Sequence, residues 1–296
     1  MTIQNYYLGC PIWANKDWTG SFFTPKAKPK EYLSQYAKVF NTVEGNNTFY
    51  GLPKASMVMR WKMDTPQDFR FSFKFPKLIS HVYKLQNVQK EVTHFFGSLE
   101  PLLEKTGIFF LQLPPSFNKK SLPSLEQFLQ NLPQDLNYAV EVRHLDFFHN
   151  EKAKESLNDL LQKRGINRAI FDTSTLHAIE SEDEHIIGAQ RKKPQMPSYF
   201  TSTADQPFLR FVGYPTPEAN RTKFTYLAQI VAKWLQAGKT PYVFIHSPGE
   251  LTTPSIARFF HQLLQQECHG SGIEVGEVPT FPVDNLPKLP EQMSLF

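Results

Sequence analysis

Apolar residues recur along this chain with two alternating periods. Short runs of period two mark strands over Tyr6–Gly9, Thr42–Glu44, Arg70–Lys74, Ile108–Leu113, Tyr138–Arg143, Arg168–Asp172, Leu209–Gly213 and Tyr242–His246. Between them apolar residues fall every three or four positions, as on one face of a helix. Examples are Tyr32, Leu33, Tyr36, Ala37 and Phe40; Val92, Phe95, Phe96 and Leu99; Leu125, Phe128, Leu129 and Leu132; and Leu157, Leu160 and Leu161. Two more stripes close the series, Leu227 to Leu235 and Ile256 to Leu264. Eight strands alternating with helices predict an α/β chain folded as a TIM-type (β/α)8 parallel barrel. A dinucleotide fold is disfavoured, because the first turn, Tyr7-Leu8-Gly9-Cys10-Pro11, carries one glycine where that fold needs several.

Two stretches break the rhythm. Residues 173–207 are polar and proline-bearing, contain Arg191-Lys192-Lys193, and read as an irregular sixth unit or a lid. Residues 278–296 carry Pro279, Pro282, Pro287 and Pro290 and read as an extended tail that packs loosely. The predicted organisation is therefore one barrel domain over 1–277 followed by a tail over 278–296.

The strand faces predict where chemistry gathers. Phe69, Phe71, Phe73 and Phe75 alternate with Arg70, Ser72 and Lys74, so the phenylalanines should meet helices while Lys74 points inward. Lys74 then lies at the C-terminal ends of the strands, where barrel enzymes keep their sites. The same parity turns Glu44, Gln112, Glu141, Arg143, Asp172 and His246 inward, and Arg210 joins them in one of two phases open to its strand. After Glu44 come Asn46, Asn47 and Tyr50, polar or aromatic groups suited to binding. Trp13 and other aromatics near these loops form either a stacking platform or a packed cap. Candidate catalytic residues are Glu44, Lys74, Glu141, Asp172 and His246. Candidate binding residues are Trp13, Asn46, Asn47, Tyr50, Gln112, Arg143 and Arg210. Each has a plainer alternative: a Glu141–Arg143 structural ion pair, a Lys74 that only pairs with an anion, a His246 that only hydrogen-bonds. Three nearby cations argue against a divalent metal ion, and nothing in the pattern calls for an organic cofactor.

Composition narrows the class. At 296 residues, 41% hydrophobic and 20% charged, the chain is globular, and no apolar run is long enough to span a bilayer. The N-terminus lacks the parts of a signal peptide, and two cysteines cannot make a disulfide framework, so a reduced, cytoplasmic protein is expected. The net charge of +4 permits an anionic partner without demanding one.

Several blocks together resemble a family. They are Gly9, Trp13, Trp18, Tyr36-Ala37-x-x-Phe40-x-Thr42-Val43-Glu44, Thr48-Phe49-Tyr50, Trp61, Thr65-Pro66, Phe69-x-Phe71-x-Phe73-Lys74, Ile79-Ser80-His81 and Glu141-x-Arg143-His144. The pattern resembles the YecE-like family, a domain of unknown function. The resemblance implies a TIM-type barrel with a polar pocket and no established reaction. The chain departs from the common pattern at Gly45-Asn46 and at His246-Ser247-Pro248.

A separate signal ends the sequence. Gln292-Met293-Ser294-Leu295-Phe296 resembles the short peptide by which bacterial replication and repair proteins dock on the DNA sliding clamp. Gln292, Met293, Leu295 and Phe296 would be its contacts, and folding back onto the barrel is the alternative. Two functions follow. One is an enzyme, a hydrolase or lyase, that binds an anionic or sugar-like small molecule at the strand ends. The other is a protein recruited to DNA through its tail.

Overall fold

The computed structural model describes residues 3–277 and 279–286. Among them nine strands run parallel to their neighbours: β1 (Tyr7–Gly9), β2 (Thr42–Gly45), β3 (Arg70–Lys74), β4 (Thr106–Gln112), β5 (Tyr138–Glu141), β6 (Asn167–Arg168), β7 (Ile170–Asp172), β8 (Phe208–Val212) and β9 (Tyr242–His246). They form two parallel sheets, ordered β2-β3-β4-β5-β6 and β1-β9-β8-β7. The run expected as one strand over Arg168–Asp172 is interrupted at Ala169, so its first part joins one sheet and its last part the other. Helices connect the strands, which is what parallel pairing requires.

Two apolar layers result from the alternation. Phe69, Phe71, Phe73 and Phe75 are buried outward, where Trp61 lies over Phe73 with ring centroids 6.1 Å apart and Phe95 over Phe75 at 4.9 Å. The opposite strand faces meet each other. Ile108, Phe110, Ala139, Ala169, Phe208, Tyr242 and Phe244 make a second cluster, in which Phe110 of one sheet stacks on Phe208 of the other at 5.1 Å. Gly107 makes room for that layer, since a Cβ there would lie 2.2 Å from the Tyr242 hydroxyl. Beside β2, β1 is held by polar bridges. The Asn41 side chain accepts from Leu8 N–H and donates to Tyr6 O, Tyr36 Oη accepts from Cys10 N–H and donates to Thr42 O, and Glu44 N–H donates to Cys10 O.

Three further regions add to this picture, and the last differs from the sequence expectation. The helix Ala55–Asp64 has no apolar stripe: Val58 and Trp61 are buried while Met57, Met59 and Met63 are exposed. Residues 173–207 are mostly irregular but include short helices over Ser174–His177 and Glu184–Lys192, the second capped by the Asp183 carboxylate. Within 279–286 the chain does not pack loosely. Phe281 is 2% exposed against Phe22, and Arg258 stacks on its ring and pairs with Asp284 at 3.0 Å, just before a single turn over Pro282–Asn285. Proline tolerates the first position of such a turn. Gln292, Met293, Leu295 and Phe296 lie outside the described residues. No helix among the described residues is long and apolar enough to cross a membrane. Cys10 and Cys268 are both buried free thiols.

Candidate functional site

The C-terminal ends of β2, β4, β5, β8 and β9 converge on Arg210. Its Nε and Nη2 donate to the two oxygens of Glu44, each at 2.8 Å, and its Nη1 donates to Glu141 Oε2 at 2.5 Å. The guanidinium lies between the rings of Phe110 and Phe171, 4.9 and 4.5 Å from their centroids. Glu141 gives its other oxygen to Arg143 Nε at 2.7 Å. Asn46 Nδ2 donates to Glu44 Oε1 at 2.8 Å, and His246 Nε2 lies 3.3 Å from Glu44 Oε2. All four carboxylate oxygens of Glu44 and Glu141 are therefore engaged.

The charges of this cluster are fixed. Burial alone would raise the Glu44 carboxyl, but the Arg210 charge, with His246 and the hydrogen bonds from both, outweighs burial and holds it well below the ordinary range. Glu141 is lowered too, where Arg143 and Arg210 outweigh the same burial. Burial, aided by Lys193, pushes His246 down to about 4, so it is neutral at pH 7 and donates Nε2–H to Glu44 as a dipole. The charge that keeps Glu44 ionised is thus that of Arg210.

Beyond His246 the chain turns through Gly249 and Glu250, both at positive φ (70° and 59°). This turn brings Glu250 Oε1 3.9 Å from His246 Nδ1 and 4.0 Å from Lys193 Nζ. Thr253 Oγ1 donates to the other oxygen at 2.7 Å, and burial raises the Glu250 carboxyl. Trp18 Nε1 donates to Glu250 O at 2.8 Å and pins the turn.

The β3 side of the site is built differently. Lys74 is 8% exposed, its Nζ donates to Gln112 Oε1 at 2.8 Å, and it lies 4.2 Å from the centroid of Phe49. Arg143 Nη2 donates to that same Gln112 oxygen at 2.8 Å. Lys74 forms no ion pair among the described residues. Burial, reinforced by Arg210, lowers its ammonium to about 7. His81 borders the group, with its ring 5.1 Å from Phe49, and burial together with Lys74 and Arg143 pushes it to about 4.

The geometry decides which expected site residues belong together. Glu44, Asn46, Lys74, Gln112, Glu141, Arg143, Arg210 and His246 form one connected network. Asp172 does not join it. Ala169 and Phe171 take the inward face, so Asp172 turns out to Lys223 at 2.7 Å and to Ser174, and Arg168 turns out to Asn158 and Phe147 O. Both faces of that strand carry an apolar residue, and the charges were satisfied on the helix side. Trp13 packs edge-on against Trp61 and Phe71 in the outer layer, away from the network. Asn47 is exposed at the start of a helical turn, and Tyr50 is 84% exposed beside Phe49. In the 173–207 segment Arg191 and Lys192 face solvent, while Lys193 reaches inward. Five contributors were not assigned to the site from the sequence: Phe110, Phe171, Lys193 as an inward group, Glu250, and His81, which the sequence offered only within a family block. Glu250 lies four residues past His246 and His81 seven past Lys74, in the segments that follow two site strands, which is the signal that marks them.

A family model described as protein of unknown function DUF72 matches residues 7–279. The chain belongs to the DUF72 family. It is 39% identical over 290 residues to UPF0759 protein YecE of Escherichia coli K12, covering 98% of this chain and 99% of that one. UPF0759 protein YunF of Bacillus subtilis 168 is 26% identical over 149 residues, 48% of this chain and 52% of that one. Among solved structures, a DUF72 family protein from Thermotoga maritima MSB8 superposes with a TM-score of 0.66 at 23% identity, over 88% of this chain and 99% of that one. A DUF72 family protein from Enterococcus faecalis V583 gives the same score at 17% identity, over 88% and 95%. At these identities the solved DUF72 structures bear on the α/β fold with its parallel sheets, and the chemistry of the site rests on the residues above.

Proposed function

We propose that this DUF72 protein binds a small anionic molecule, a carboxylate or phosphate, between Lys74 and Arg143. One observation carries the reading: a single neutral oxygen, Gln112 Oε1, serves both cations. Cationic donors are therefore in excess on this side. As an ammonium Lys74 has no carboxylate partner among the described residues, because Glu44 and Glu141 are held by Arg210 and Arg143. An anion beside Lys74 would restore balance and accept the unused N–H groups of both side chains. On this reading Glu44 and Glu141 are fixed counter-charges for Arg210, and acid–base work falls to the β3 side. The reading also takes the two sheets as one closed eight-unit barrel around the site. Support comes from the contact of Phe110 with Phe208, the bridges from β1 to β2, and the near-continuity of β6 and β7 across Ala169. The test is calorimetry of the full chain with phosphate, glycolate and phosphorylated sugars, repeated on Arg143→Gln. Binding by the wild type that weakens about tenfold in the variant is expected, as for loss of one charged hydrogen bond. A wild type that takes up none of these anions overturns the proposal.

Docking of Gln292–Phe296 on a DNA sliding clamp is a separate proposal carried by sequence. Calorimetry of that peptide against the clamp, with Phe296→Ala as control, decides it. Heat at micromolar concentration supports recruitment to DNA, and none at high micromolar concentration removes it.

A further inference from the structure

The anion site contains an amine whose surroundings suit covalent chemistry. Gln112 is oriented by two donors, so its carbonyl oxygen, not its amide nitrogen, must face Lys74. A neutral Lys74 amine gives one N–H to that oxygen and keeps its lone pair free. Its other neighbours are the faces of Phe49 and of Phe110, 4.2 and 5.7 Å from Nζ, which offer the ammonium no strong acceptor.

We propose that Lys74 is a nucleophilic amine that forms an imine with a small aldehyde or keto acid whose anionic group is held by Arg143. The proposal rests on the anion-site reading and adds the carbonyl to it. The Nζ lone pair attacks the carbonyl carbon, the C=O π electrons move to oxygen, and that oxygen takes up a proton from solvent. The proton released from nitrogen passes through solvent to the departing hydroxyl. The C–O bond breaks, water leaves, and C=N remains, with no oxidant or reductant consumed. The resulting iminium carries the charge of that added proton, the same charge that Lys74 carries as an ammonium. At pH 7 the neutral fraction of this amine exceeds that of an exposed lysine roughly a thousandfold, which is the condition for nucleophilic attack.

The test is reductive trapping. The full chain is incubated at pH 7 with glyoxylate and cyanoborohydride, alone and with excess glycolate, which carries the carboxylate without the carbonyl. Adducts are then located by peptide mass mapping. Lys74 should be labelled at least about tenfold faster than the mean of the other lysines, glycolate should suppress the labelling, and Lys74→Met should abolish it. Labelling spread over surface lysines with no preference for Lys74 overturns the imine. If glycolate binds by calorimetry and Lys74 stays unlabelled, the imine fails and the anion site stands; if phosphate, glycolate and phosphorylated sugars all fail to bind, both fail. The wild-type peptide map separates these outcomes even if the variant misfolds.

Discussion

Two groups of charge share the strand ends, and they are satisfied to different degrees. Around Arg210, every oxygen of Glu44 and Glu141 has a donor, and two aromatic rings cover the guanidinium. Around Lys74, two cations share one amide oxygen. Both groups hold buried charge, so burial does not distinguish them. Completeness does: the first has its counter-charges within the chain, whereas Lys74 has no ion pair among the described residues. The general lesson is that a buried charge cluster points to a ligand where its donors outnumber its acceptors.

Removing the centre of the complete group should have the largest effect. Arg210→Met leaves two buried carboxylates without their shared cation and should cost about 3–5 kcal/mol in urea unfolding at pH 7. The loss should shrink at pH 5, because the orphaned carboxyls can then take up protons. An equal loss at both pH values would show that Arg210 acts by packing.

The same group sets the acid limit of the wild type. Glu44 and Glu141 have folded pKa values below the unfolded value near 4.5, so their contribution is complete above that pH and is lost as pH falls through the folded values. His246 and His261 add to this earlier. Each is lowered from 6.5 to about 4, so the unfolded chain binds their protons first and stability declines from about pH 6.5 to 4. A urea midpoint that is flat from pH 7 to 4 would contradict both assignments.

The incomplete group should respond in the opposite sense. Lys74→Met removes a buried ammonium with no ion pair among the described residues and should stabilise the protein by roughly 1–3 kcal/mol at pH 7. Lys74 is lowered from 10.5 to about 7, so the unfolded chain prefers the proton over that window. The gain should fade as pH rises from 7 to 10.5 and vanish above it. A loss of stability instead would mean that Lys74 belongs to the complete group. Arg143→Gln should move stability least, by under about 1 kcal/mol, because Arg210 still holds Glu141, and a loss above about 3 kcal/mol would make Arg143 part of the structural core.

How far this contrast could be read from the sequence depends on the strand. On β3 the four phenylalanines leave one reading of the alternation, and the facing of Lys74 follows from it. The bounds of β3 and β9 are also those of the apolar pattern. On β7 both faces carry an apolar residue, and charge alone misled: Asp172 is paired with a helix lysine. The clasp of Arg210 on Glu44 and Glu141 spans 166 and 69 residues, a pairing that no local spacing encodes. His81 sits in a helical turn over Leu78–Val82 and Glu250 in a turn after β9, both placed by tertiary contacts, and helix Ala55–Asp64 exposes its methionines and so shows only Val58 and Trp61 inward.

The pairing of β1 constrains the order in which the chain can assemble. Its ladder partner is β9, joined through Tyr7 and Tyr242, and its other flank meets β2 mainly through side-chain bridges. During synthesis the first strand therefore waits for almost the whole polypeptide before its backbone groups are paired, and the aromatic cluster of Trp18, Phe22 and Phe23 waits longer still for Phe281 to cover Phe22. Until then a nascent chain exposes an unpaired edge beside a greasy surface, the combination on which holding chaperones act. Pairing at so great a separation makes for slow folding, and a late step should bring β1 against β9.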